Sequence, residues 1–178
     1  MNYGRIYYAD IANGVGCRTS LFLSGCRNHC KECFNPETWD FSYGKPFDAD
    51  IQETVIDSIR PSYIEGLSIL GGEPMEPENQ EALLPFLKDV KTACPNKTVW
   101  LYSGFTWEEL TDDAKGARCR TEWIDEILPL IDILVDGRFE LEKKNISLKF
   151  RGSENQRIIK VPASLKTGEP VLAEEYMN

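Results

Sequence analysis

The sequence predicts an α/β fold built on a mostly parallel sheet. Short apolar, β-branched runs alternate with segments of helical periodicity, and each run stops at glycine or a small polar residue. Strands that alternate with helices need crossover connections, and crossovers make neighbouring strands parallel. Arg18 to Ser24 reads as the first strand, apolar enough to be buried. Asp48 to Ile59 sets Ile51, Val55, Ile56 and Ile59 at helical spacing, with Asp48 or Asp50 as the cap. Leu67 to Leu70 is a second strand, stopped by Gly71-Gly72, and helical spacing returns through Leu83, Leu84, Leu87 and Val90 despite Pro85. Thr98 to Tyr102 is a third strand ended by Ser103-Gly104; Thr106 to Leu110 and Glu122 to Leu128 are helical; Ile131 to Val135 is a fourth strand, closing on Asp136-Gly137.

The bulk composition narrows the function classes. With 178 residues, 42% hydrophobic and 28% charged, the chain suits one domain whose core needs no disulfide staples. A net charge of -9 argues against nucleic acid as the main partner. The N-terminal MNYGRIYYADIANG lacks the pattern of a signal peptide, and no stretch approaches the roughly 20 apolar residues of a membrane span. The expected location is therefore the cytoplasm, with no membrane partner. In that reducing compartment clustered thiols point to metal or catalysis.

In parallel sheets the ligand site lies at the carboxyl ends of the strands. Gly25-Cys26, Gly71-Gly72-Glu73-Pro74, Ser103-Gly104 and Asp136-Gly137 all follow strands, so one edge collects them. Cys26, Cys30 and Cys33 form a Cys-x-x-x-Cys-x-x-Cys loop on that edge. Three thiolates suit a four-iron cubane cluster whose fourth iron stays open for an exchangeable ligand. Zinc held by the three cysteines and His29, the only histidine, is the competing assignment. Adjacent residues such as His29 and Cys30 rarely converge on one tetrahedral ion. Cys17, Cys94 and Cys119 are scattered and read as small, mostly buried thiols. Glycines after a strand are commonly only a turn, but beside a cluster they let backbone groups approach a ligand closely. Glu73 reads equally well as a solvated turn residue or as a ligand-facing carboxylate.

Cys26-x-x-x-Cys30-x-x-Cys33-Phe34 followed by Gly71-Gly72-Glu73-Pro74 resembles the radical S-adenosylmethionine signature. The chain is similar, more narrowly, to the activating proteins of anaerobic (class III) ribonucleoside-triphosphate reductase, from the N-terminus to about Ile159. Asn13-Gly14-x-Gly16-x-Arg18, Thr38-Trp39, Gly44-x-Pro46-Phe47, Leu134-Val135-Asp136-Gly137-Arg138-Phe139 and Arg151-Gly152-Ser153-x-Asn155-Gln156 carry that narrower likeness. The resemblance implies a partial, open TIM-like (β/α) barrel over residues 1–161, followed by a polar C-terminal tail, 162–178. It implies that Cys26, Cys30 and Cys33 hold one [4Fe-4S] cluster, and that S-adenosylmethionine binds its open iron. Reductive cleavage would then give a 5′-deoxyadenosyl radical that takes a hydrogen from a glycine of the large reductase subunit. Cofactor contacts fall on Glu32, Cys33, Phe34, Gly71, Gly72 and Glu73, with Phe34 near the adenine and Glu73 orienting the methionine amino group. An electron donor such as a flavodoxin or ferredoxin is also implied.

Two departures accompany the resemblance. Family members often have glycine before the third cysteine, where this chain has Glu32, and an extra cysteine at the position of Thr19, where this chain has Cys17 instead. Any contact from residue 32 is therefore expected through its backbone. The stretch 111–121 reads as a small insertion. Rival readings are a radical enzyme acting on a small molecule or on another glycyl radical enzyme, and a zinc or iron–sulfur binding or electron-transfer module.

Overall fold

A computed structural model describes residues 1–115 and 118–177. Its centre is one seven-stranded sheet in the order β3-β1-β2-β4-β5-β6-β7, not closed on itself. The strands are β1 (Asn2–Asp10), β2 (Cys17–Leu23), β3 (Lys45–Pro46), β4 (Ile64–Gly71), β5 (Thr98–Ser103), β6 (Ile133–Asp136) and β7 (Arg157–Lys160). The helices are α1 (Ala49–Ile59), α2 (Pro77–Ala93), α3 (Trp107–Thr111), α4 (Ile124–Ile127) and α5 (Val161–Thr167). β2, β4, β5 and β6 are parallel, as the alternation predicts, with Ser20 opposite Ser68, Ser68 opposite Trp100 and Trp100 opposite Ile133.

The edges correct the expectation that the strand at Arg18 comes first. β1 precedes it and pairs antiparallel with β2, β3 covers the start of β1, and β7 pairs antiparallel with β6. β1 has no buried residue, and Tyr7 and Tyr8 stand exposed, so its Ile6-Tyr7-Tyr8-Ala9 run shows no alternation of buried and exposed positions to mark it. β7 buries only Ile158 and Ile159, too short a signal to read alone.

Side-chain alternation splits the sheet into two faces. Leu21, Leu23, Leu67, Ile69, Val99, Leu101 and Leu134 join Val55, Ile59, Leu83 and Leu87 from α1 and α2 in the main core. Asp48, rather than Asp50, caps α1 by accepting from the Ile51 N–H at 3.1 Å. Trp100, Val135 and Ile158 face the other way, where Phe150, Ala173, Tyr176 and Met177 pack on them. The chain after β7 thus returns to this face, with the Ala173 N–H donating to Ile158 O at 2.8 Å. Arg18 is buried beside Trp100 with no carboxylate partner; Ser68, Thr98 and the Leu67 carbonyl accept its protons instead. The stretch 111–121 includes residues 116 and 117, and the tail ends in Asn178, which lie outside the described residues.

Candidate metal centre

The carboxyl ends of β2, β4, β5 and β6 meet at one cavity of about 220 Å³. Cys26, Cys30, Cys33, Phe34, Gly71, Gly72 and Glu73 line it, so loops separated by some forty residues converge as the strand-end rule predicts. Glu32 does not line it; it is exposed beside the loop.

Backbone contacts zip the two motifs together. The Gly72 N–H donates to Leu23 O and the Glu73 N–H to Gly25 O, both at 2.8 Å. Gly71 sits at φ +104°, and a Cβ there would lie 2.7 Å from the Leu23 backbone. A Cβ on Gly72 would lie 2.7 Å from Gly25 O, so both glycines are required for this approach.

The three thiols are free. The Asn35 N–H donates to Cys33 Sγ at 3.4 Å, and the main chain at Asn28 and His29 favours the Cys26 thiolate, as that at Phe139 favours the Cys30 thiolate. Burial pushes the Cys26 thiol up to about 11 and raises Cys30 as well. Such N–H donors are the groups that tune cluster-bound sulfur, so the donor set fits an iron–sulfur cluster. Among the described residues no three of His, Cys, Asp and Glu converge on a point that could hold a single ion. The His29 ring instead packs on Trp39, with centroids 4.6 Å apart. Cys119 and Cys94 are buried in the core, away from the cavity, and Cys17 also lies outside it.

Glu73 is not a solvated turn residue, being only 1% exposed. Its carboxylate accepts from the Met75 N–H (2.9 Å), Ser103 Oγ (2.8 Å), the Gly104 N–H (2.7 Å) and Asn28 Nδ2 (3.0 Å). Those donors fill the four acceptor positions of a carboxylate. Burial nevertheless raises its pKa to about 7. Phe34 is 72% exposed at the mouth, against Phe139 and beneath the Lys144 ammonium.

Some lining residues escape sequence reasoning. Asn28 and Tyr102 reach the cavity, Tyr102 with a buried hydroxyl, alongside Gly104 and Gln156 from segments the sequence marks. Gly104 carries a signal as part of a strand-end pair and Gln156 as part of the family segment, whereas nothing in the local sequence marks Asn28. Gln156 braces the Asp-Gly-Arg-Phe turn by donating to Gly137 O at 3.0 Å while Asn155 donates to Arg138 O at 2.8 Å. The two family segments therefore support each other.

Comparison with known proteins adds the family. A family described as "4Fe-4S single cluster domain" matches residues 12–159. The chain is 42% identical over 160 residues to an anaerobic ribonucleoside-triphosphate reductase-activating protein of Pasteurella multocida (strain Pm70), covering 89% of this chain and 96% of that one. The chain belongs to this activating-protein family. A member from Enterobacteria phage T4 is 36% identical, covering 89% of this chain and 93% of its own. The Escherichia coli (strain K12) activating protein is 35% identical over 158 residues, covering 88% and 96%. As an activating protein with a 4Fe-4S domain, the chain carries the iron–sulfur character that the cysteine loop predicts.

Proposed function

We propose that this protein activates an anaerobic ribonucleoside-triphosphate reductase by radical S-adenosylmethionine chemistry. Cys26, Cys30 and Cys33 would hold a [4Fe-4S] cluster. When bound, that cluster would supply the electron that splits S-adenosylmethionine, and the 5′-deoxyadenosyl radical released would take hydrogen from a glycine of the reductase. The observation that carries this reading is a cavity lined by three free thiols and the Gly-Gly-Glu-Pro turn, in a chain whose relatives are named activating proteins.

The protein's own residues would bind, orient and shield. Gly71 and Gly72 leave room for the methionine moiety to approach the backbone, and Phe34 with Phe139 offers aromatic surface to the adenine. Glu73, its oxygens held by four donors, would serve by fixing the Gly104 and Met75 backbone beside the amino group. The open sheet reads as the partial TIM-like barrel of this superfamily, over residues 1–161, with 162–178 added to it. A flavodoxin or ferredoxin would deliver the electron, and the setting would be the cytoplasm. Among the described residues no helix is long and apolar enough to cross a membrane.

The test is anaerobic reconstitution with iron and sulfide, reduction, and electron paramagnetic resonance before and after S-adenosylmethionine. A cubane signal that the cofactor changes, and a glycyl signal on added reductase, are expected. Bound zinc without a cluster, or a cluster indifferent to S-adenosylmethionine, would overturn the reading.

A further inference from the structure

The segment after α3 has no part in the reading above, yet one of its side chains reaches the supports of the site. Glu76, at the start of α2, is fully buried. Two arginines share its carboxylate. Arg27 donates its N–H and Nη1 to Glu76, each at 2.8 Å, and Arg118 donates Nε at 2.9 Å and Nη2 at 2.8 Å. The Arg118 guanidinium lies 4.7 Å from the Phe105 ring centroid, which fixes its plane. From there Nη2 also donates to Asn28 Oδ1 at 2.8 Å.

That last contact sets the amide. With Oδ1 turned to Arg118, Asn28 must turn Nδ2 the other way, and Nδ2 donates to Glu73 Oε2 at 3.0 Å. Flipping the amide would set N–H against N–H at Arg118 and oxygen against carboxylate at Glu73. Gly104 makes the approach possible, since a Cβ there would lie 2.3 Å from Asn28 Nδ2. Asn28 stands two residues after Cys26 and lines the cavity. We propose that Arg118 is a positioning residue of the site, holding the cysteine loop to α2 through Glu76 and orienting Asn28 toward Glu73. Lysine cannot replace it, because a single ammonium lacks the planar fork that serves both partners.

The effect on cofactor binding rests on the proposed function; the latch itself does not, and two measurements separate them. In the protein without cluster, Arg118→Met should speed amide exchange across residues 27–34 about tenfold and leave α1 unchanged. In the reconstituted protein, Arg118→Met should keep the wild-type iron content but require about fivefold to tenfold more S-adenosylmethionine for half the spectral change. Arg118→Lys should recover only part of that shift. Asn28→Ala should reproduce it, and the double variant should shift no further, as expected when one residue acts through the other. Wild-type exchange in the 27–34 loop, equal acceleration in α1, or additive shifts in the double variant would overturn the proposal. A wild-type spectrum indifferent to S-adenosylmethionine would instead sink the proposed function, with the exchange result still deciding the latch.

Discussion

Asp136→Asn probes the carboxylate beneath the Asp-Gly-Arg-Phe turn. Asp136 is fully buried and accepts from the Trp107 N–H at 2.7 Å and from Arg157 Nε at 3.0 Å and Nη2 at 2.5 Å. Asparagine keeps one acceptor oxygen but turns the other into an amino group facing N–H donors. Breaking a buried ion pair typically costs about 3–5 kcal/mol because one charge is stranded. Here Arg157 is not stranded, since Nη1 and Nη2 still reach Glu108 at 3.0 and 2.8 Å. What is lost is one charge-assisted bond plus an orphaned donor, about 2–3 kcal/mol. For a chain of this length that lowers Tm by about 5–10 °C. Circular dichroism melts of the cluster-free protein at pH 7 measure it, with Glu108→Gln as the control. Glu108 is partly solvated, so its loss should cost under about 1 kcal/mol. A melt of Asp136→Asn within about 2 °C of wild type, or a Glu108→Gln cost as large, would refute the reasoning.

Three further outcomes follow from the geometry. Glu32 sits at φ +59°, which costs a side chain about 1–2 kcal/mol, while glycine would return about 0.5–1 kcal/mol through its freer unfolded state. Glu32→Gly should therefore raise Tm by about 1–3 °C, and a lower melt would contradict the strain. Glu73 has its pKa raised by burial to about 7, so the folded state binds its proton more tightly than the unfolded one. The stability of wild type relative to Glu73→Gln should accordingly shrink as pH rises from about 4.5 to 7; denaturant titrations that give a pH-independent difference would exclude that shift. Cys26→Ala should lose iron–sulfur absorbance on reconstitution, whereas Cys119→Ala should keep it at a cost of about 1 kcal/mol in core packing; equal loss in both would remove the assignment of ligands.

The parallel centre of the sheet is legible because its strands are buried on both faces and each stops at glycine. The same rule places Cys26 and Gly72 on one edge from the sequence alone. β1 is hidden because none of its apolar residues is buried, and Tyr7 and Tyr8 face solvent rather than alternating into a core. Glu32 in place of glycine was visible as a departure, but only φ +59° explains why the position prefers glycine. His29 looked like a fourth ligand on composition alone; its stacking on Trp39 depends on a loop conformation that spacing does not encode. The Arg118–Asn28 contact joins residues 90 apart through side chains alone, so no local pattern announces it.

The shape of the cavity bears on which kind of target the proposed chemistry serves. On the sheet face that carries Val135, which lines the cavity, Trp100 packs against Phe150 and against Tyr176, each at a centroid distance of 5.4 Å. The cavity's volume of about 220 Å³ lies under the roughly 300–1,000 Å³ usual for a pocket that encloses a drug-sized ligand. Above, Phe34 stands 72% exposed at the rim. A reactive alkyl radical would have to be kept from water, and a rim as exposed as Phe34 leaves that shielding incomplete. A small-molecule enzyme would have to complete that shielding itself, whereas an activating protein could receive it from the reductase whose glycine it would attack under the proposed function. The open rim therefore favours a peptide segment of a macromolecule as the target.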